Sequence, residues 1–343
     1  MNALGDGREL TFAAQGSISL DDDLVRRLPA TDNAPGAPEA LLALNSRFRR
    51  AVWPAPYDRT QHTIVRGDAR DLSWIDDGTI HLIVTSPPYF NLKPYETDAD
   101  GRQLGRIGDY EAFLDQLDVV WRECARVLAP GGRVCCVIGD VLVPRRSGGR
   151  HWVLPLPADI QVRSRRVGLD NLTPILWYKI ANRTNEAGGG SSGYYGKPYQ
   201  PGAVIKNDHE HILQLRKPGG YRQTSMLQKA LSMLQRPEMD RWMRPVWSDI
   251  RGASLRQGHP APYPVELAER LIRMFSFAGD TVLDPFGGSG STSVAAIRSG
   301  RSSISVEVEG SYMPLAAERL RKESERVAAR GVQAPNIRLR VLG

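Results

Sequence analysis

Thr281-Val282-Leu283-Asp284-Pro285-Phe286-Gly287-Gly288-Ser289-Gly290 is a short apolar run ending in a glycine-rich bend. It reads as a buried strand turning sharply into a helix expected over 291–298. Glycines at 287, 288 and 290 suit a backbone that must turn tightly and admit a ligand against it. A further strand is expected over 302–308, and Glu307 near its end lies about 20 residues beyond the glycines, a spacing that lets a carboxylate take hydrogen bonds from ribose hydroxyls. A phosphate-binding loop would carry lysine after the last glycine. Ser291-Thr292 stand there instead, which argues against a nucleotide triphosphatase.

A second strand end lies far upstream. Ile80-His81-Leu82-Ile83-Val84 runs into Thr85-Ser86-Pro87-Pro88-Tyr89, and the carboxyl ends of strands in an open α/β sheet are where ligands bind. Around these two segments the chain alternates strands (63–65, 80–84, 133–138, 173–179) with helices (110–128, 157–167, 263–277, 312–330). The 110–128 helix opens at Asp109 as N-cap, carries Phe113, Leu117, Val120, Cys124 and Leu128 on one stripe, and is expected to stop at Pro130-Gly131-Gly132. This rhythm predicts a mostly parallel sheet covered on both faces. Residues 1–58 are rich in Gly, Pro, Asp and Ala, with one helix expected over 38–49, and carry no assignable function.

The rhythm breaks between about 184 and 257, where one strand at 210–215 interrupts an irregular stretch. From Lys197 to Arg256 eleven lysines and arginines face five acids, an excess of six within a chain whose net charge is +7. Such clustering favours nucleic acid, and Lys197, Arg222, Arg241, Arg244 and Arg251 are the candidate contacts. Cys124, Cys135 and Cys136 form neither a disulfide framework nor a CxxC site and read as apolar filler in a reducing compartment. The start of the chain lacks the apolar core of a secretory signal and no run approaches membrane-spanning length, so a soluble, cytoplasmic protein is expected. There is no HxxxH, HExxH or cysteine–histidine cluster, and no catalytic metal is expected. His209 and His211 read as structural, Trp177 and Tyr178 as core aromatics.

Ser86-Pro87-Pro88-Tyr89 and Phe286-Gly287-Gly288-Ser289-Gly290 together resemble the paired (D/N/S)-P-P-Y and F-x-G-x-G signatures of the amino-methylating DNA methyltransferases. The likeness extends to Gly67-Asp68-Ala69, to Arg126 through Gly132, to Trp177-Tyr178-Lys179 and to His259-Pro260-Ala261-Pro262, and spans the chain apart from residues 1–58 and the charged insertion. With the catalytic signature first, the order is that of the permuted β class. The resemblance implies a circularly permuted, Rossmann-like methyltransferase fold: an extension (1–58), a catalytic half (59–183), a target-recognition insertion (184–257) and a cofactor-binding half (258–343). It implies S-adenosyl-L-methionine as cofactor and duplex DNA as partner, with a cognate restriction endonuclease reading the same site, and a monomer or homodimer.

Carried over position by position, Asp284, Phe286, Gly288 and Gly290 belong beside the methionyl part, Glu307 on the ribose, Asp68 near the adenine, and His259 to Pro262 on the remaining side. Ala69, Thr85, Pro285, Gly287 and Ser289 complete that set. Competing readings are a turn cap for Asp68, a core position for Phe286 and a helix lead-in for His259-Pro260.

The catalytic set is Ser86, Pro87, Pro88 and Tyr89. An exocyclic base amine is a poor nucleophile because its lone pair is delocalised into the ring. Acceptors aimed at its N–H groups, here Ser86 Oγ and the Pro87 carbonyl, favour a pyramidal nitrogen and stabilise the charge that develops on it. The prolines stiffen the turn, and Tyr89 offers a flat face to a base flipped out of the duplex. Transfer is then an in-line displacement without a covalent enzyme intermediate. Cytosine-C5 chemistry needs a thiol presented after proline, and none of the three cysteines is so placed. In the family a serine in the first motif position is typical of N4-cytosine enzymes, aspartate or asparagine of N6-adenine ones, so Ser86 points to N4-cytosine, with N6-adenine as the alternative. An RNA or protein amine methyltransferase, or an inactive DNA-binding homologue, would share parts of this pattern.

Overall fold

Val-, Ile- and Leu-rich runs interleaved with one-sided apolar helices condense into a ten-stranded sheet covered on both faces. The computed structural model describes residues 9–10, 27–49, 57, 59–90, 102–143, 149–179, 207–252, 263–330 and 334–342. In chain order these form β1 (Glu9–Leu10), α1 (Ala37–Arg49), β2 (Gln61–Arg66), β3 (Ile80–Thr85), α2 (Tyr110–Val127), β4 (Leu128–Ile138), the hairpin strands β5 (Val141–Val143) and β6 (Trp152–Leu154), α3 (Leu156–Ser164) and β7 (Asp170–Tyr178). Then come β8 (His209–Arg216), α4 (Met226–Ser232), α5 (Arg236–Trp242), β9 (Val246–Trp247), α6 (Val265–Phe275), β10 (Thr281–Asp284), α7 (Ser291–Ser299), β11 (Ser302–Glu307), α8 (Tyr312–Ala328) and β12 (Asn336–Val341). None of the helices is long and apolar enough to cross a membrane among the described residues.

The strands lie in the order β1-β12-β2-β11-β10-β3-β4-β8-β7-β9. From β12 to β4 the neighbours are parallel, while β8 runs antiparallel to both β4 and β7. The late β10–α7–β11 unit therefore slots between the early strands β2 and β3, the order expected of a permuted sheet. Period-two alternation divides the core: Ile83, Val134 and Cys136 face α2 and α3, whereas Leu82, Val84, Cys135 and Val137 face α6 and α7. The adjacent cysteines thus fill opposite faces of one strand.

Pairing of Val282 with Leu82 and of Leu283 with Ile83 brings the two decisive turns side by side. A buried polar knot secures the seam. Asp284, 1% exposed, accepts from Thr85 Oγ1 (2.7 Å), Thr292 Oγ1 (2.7 Å), Tyr263 Oη (2.8 Å) and the Phe286 amide (3.1 Å). Burial pushes its carboxyl up, and the hydroxyl donors oppose that shift.

One expectation needs correction. Helix α2, capped by Asp109 accepting from the Ala112 amide at 2.8 Å, ends at Val127, and strand pairing begins at once with Leu128 opposite Ile80. Pro130-Gly131-Gly132 forms an irregularity inside β4 instead of a helix stop. The register shifts there, Gly131 sits at φ 76°, and a Cβ on Gly132 would lie 2.8 Å from the Ala129 carbonyl. The 184–257 stretch contributes its strand β8 to the main sheet, between β4 and β7.

Its helices are tied down as well. Arg270 of α6, 2% exposed, grips Asp249 through two bonds (3.0 and 2.9 Å) and stacks near Trp247 and Trp242. Leu41 and Leu44 of α1 cluster with Ala230 of α4, and Asn45 donates to the Ala230 carbonyl at 2.9 Å. Part of the N-terminal extension is thereby packed against the insertion.

Asp284→Ala would orphan several buried hydroxyls at once, and should lower unfolding free energy by about 3 kcal/mol or more in urea denaturation. A loss below about 1 kcal/mol would mean that the hydroxyls find other partners.

Candidate active site

Above the carboxyl ends of β2, β3, β10 and β11 lies an open cleft. The sequence-predicted residues that line it are Asp68 and Ala69 after β2, Ser86, Pro87 and Pro88 after β3, Pro285 and Phe286 after β10, and Glu307 ending β11. Four separate strand ends thus converge on one opening, because parallel pairing points them all the same way.

Glu307 is held by the Gly288 amide on one oxygen and the Glu309 amide on the other, both at 2.8 Å. Burial pushes its carboxyl up to about 7, against the pull of these two donors. Asp68 accepts from the Arg70 amide (2.9 Å) and pairs with the Arg70 guanidinium (2.6 Å), so it caps its turn and faces the cleft together. Phe286 likewise serves both ways, lining the cleft and packing on the α2 side of the core. The donor set suits a nucleoside with an apolar extension: a carboxylate acceptor for hydroxyls, a second acid, and the apolar walls Pro285, Phe286 and Val306.

Thr85, Asp284, Gly287, Gly288, Ser289 and Gly290 lie behind this lining, all buried. The glycines answer to packing here. A Cβ on Gly287 would fall 1.8 Å from Ser305 Oγ, and Gly290 sits at φ 79° against Leu320 and Ala316. Ser289 is held by Arg319, at 2.6 Å to Oγ and 2.7 Å to its carbonyl. Tyr89 is half-buried beside the lining. Residues that sequence reasoning missed are Arg102, Gln103, Leu104, Val306, Val308 and Tyr312. Val306 and Val308 flank Glu307, and Tyr312 opens the helix that follows, so their positions were legible as neighbours; Arg102 to Leu104 follow no motif.

The basic set divides. Arg222 is ion-paired with the buried Asp280 and lies over the Phe277 ring, so its charge is already engaged within the fold. Arg241, Arg244 and Arg251 are exposed; Arg241 approaches Asp249 at 3.3 Å and Arg244 donates to the Asp240 carbonyl at 2.9 Å. Lys197, His259 and Pro260 lie outside the described residues. Trp177 is core as expected, but Tyr178 is 43% exposed on the outward side of β7. Burial pushes the thiols of Cys124 and Cys136 up, and that of Cys135 to about 12, so none is primed as a nucleophile.

Residues 80–318 match a family profile described as DNA methylase. The type II methyltransferase M.MjaI of Methanocaldococcus jannaschii is 34% identical over 296 residues, covering 78% of this chain and 94% of that protein. Among solved structures, the Thermus thermophilus protein TTHA0409, a putative DNA modification methylase complexed with S-adenosyl-L-methionine, is 47% identical, covering 82% of this chain and 98% of its own, with a TM-score of 0.62. The cytosine-N4-specific PvuII DNA methyltransferase shares the fold at 18% identity, with a TM-score of 0.54 over 80% of this chain and 93% of its own.

The raised carboxyl of Glu307 makes a testable mark on stability. The folded state favours the neutral acid, so this contribution is complete below the ordinary carboxylate range and is lost as pH rises through about 7. Urea denaturation should therefore show the parent losing more stability than Glu307→Gln between roughly pH 5 and roughly pH 8. Equal losses would show that the buried carboxylate costs nothing there.

Proposed function

The chain belongs to the N6/N4 DNA methylase family, an S-adenosyl-L-methionine-dependent DNA methyltransferase, and from that premise we propose that it methylates the N4 amine of a flipped-out cytosine in duplex DNA. The observation that carries this reading is a serine, Ser86, at a proline-stiffened strand end facing the same cleft as Glu307. S-Adenosyl-L-methionine supplies a methyl group made electrophilic by its sulfonium. Of the residues lining the cleft, Glu307 would take its ribose hydroxyls, Asp68 would serve its base, and Pro285 and Phe286 would form its apolar wall.

Ser86 Oγ and the Pro87 carbonyl accept the N–H bonds of the target amine, drawing its nitrogen toward pyramidal geometry and offsetting the positive charge that grows on it. Tyr89 follows directly and offers its ring to an everted base, since a base within the duplex is out of reach. Exposed Arg241, Arg244 and Arg251 are the remaining described candidates for phosphate or base contacts. The same reading gives the enzyme a restriction endonuclease companion acting on the same site.

Incubation with labelled methyl donor and separate DNA, RNA and protein acceptors, followed by nucleoside analysis, tests the reading. N4-methylcytosine in DNA is the expected product. N6-methyladenine would transfer the assignment to the alternative base, and label confined to RNA or protein would overturn the acceptor. Ser86→Ala should cut turnover about a hundredfold while leaving donor affinity nearly intact; a normal turnover removes Ser86 from the mechanism. Neutralising Arg244 and Arg251 together should reduce the slope of log affinity against log salt by about 2. Arg222→Ala should leave that slope unchanged and lower stability instead, because Asp280 loses its ion pair.

A further inference from the structure

Glu210 stands on β8, in the stretch whose sequence gives no catalytic motif, yet it is buried, 8% exposed, and turned toward the catalytic turn. A Cβ built on Gly139 would lie 3.4 Å from Glu210 Cγ and 3.6 Å from Tyr89 Cε2, so both side chains converge on the same point beside Gly139. Lys179, just past the end of β7, is ion-paired with the same carboxylate, and its ammonium is also 5.9 Å from the centroid of the Trp177 ring. The Tyr89 phenol interacts with the Glu210 carboxylate and with the Ser86 hydroxyl, the first opposing and the second easing its ionisation. A carboxylate can only accept, so the single phenol hydrogen of Tyr89 goes to Glu210; the phenol oxygen is then left to accept, and Ser86 donates to it.

We propose that Lys179 and Glu210 are positioning residues for methyl transfer, acting through Tyr89 to hold the Ser86 hydroxyl hydrogen away from the target amine. Ser86 is then left with its lone pairs toward the amine N–H bonds. A freely rotating serine would also point its hydrogen at the amine nitrogen and compete for the very lone pair that must attack. The chain Lys179 to Glu210 to Tyr89 to Ser86 removes that orientation before the base arrives, a preorganisation that needs no movement at the moment of reaction. The inference rests on the reading of Ser86 as the amine's acceptor.

Two measurements test it. In protein carrying 13C-labelled tyrosine, the resonance absent from Tyr89→Phe identifies Tyr89, and its titration midpoint should fall in Glu210→Gln. An unchanged midpoint overturns the contact. In single turnover at saturating donor and DNA, Glu210→Gln and Tyr89→Phe should each slow transfer about tenfold, the effect of one lost hydrogen bond to a charged group, with donor affinity retained. The double variant should be no slower than the slower single variant, because both act through one chain. Multiplied losses would mean that the residues act separately, and the proposal fails. Lys179→Met gives the same comparison, slowing the parent but not the Tyr89→Phe variant, if Glu210→Gln does not fold. Failure of the parent to label any base amine would sink the acceptor reading instead, while the Tyr89 resonance would still report whether the contact exists.

Discussion

The pairing of β10 with β3 is the constraint on which the rest of this structure depends. Only two residue pairs form that ladder, Val282 with Leu82 and Leu283 with Ile83, and Asp284 locks its upper end to Thr85, Thr292 and Tyr263. A carboxylate buried among hydroxyl donors is satisfied only in one arrangement, so the knot specifies register as well as adding cohesion. With that register set, the proline turn and the glycine bend open into a common cleft, and Glu307, one strand further on, closes its far side.

The cleft joins opposite kinds of polar group. Glu307 is partly withdrawn from water and held by backbone amides, which keeps an acceptor rigid at a cost in ionisation. Ser86 belongs instead to a side-chain network reaching through Tyr89 to Glu210 on an antiparallel strand. The parallel half of the sheet thus carries Glu307, and the antiparallel edge stands behind Ser86 and Tyr89. The basic insertion is anchored to this frame by Arg270 on Asp249 and by Arg222 on Asp280, so part of its charge serves as internal mortar. Its exposed arginines, Arg241, Arg244 and Arg251, are what it presents outward.

Much of this was readable along the chain because it depends on local chemistry. Asp109 caps α2 through its own side chain three residues on, and the 3.6-residue stripe of that helix is buried as the pattern requires. Where a neighbour distant in sequence decides the outcome, the reading fell short. The helix expected to end at Pro130 ends at Val127, because Leu128 pairs with Ile80. Arg222 is paired with Asp280, 58 residues on, and Gly287 has no room for a Cβ because Ser305 of the next strand stands against it.

From the sequence alone came the mostly parallel α/β architecture, the two strand-end turns and the family they resemble, since apolar periodicity, glycine and proline act on the backbone within a few residues. Tertiary structure decided which of those residues meet. It set Ser86 and Glu307 in one cleft, retired Thr85 and Asp284 to the seam behind it, and carried Glu210 to Tyr89. The physical reason is that strand order and side-chain partnership arise from burial and hydrogen-bond satisfaction across long loops, which no local pattern encodes.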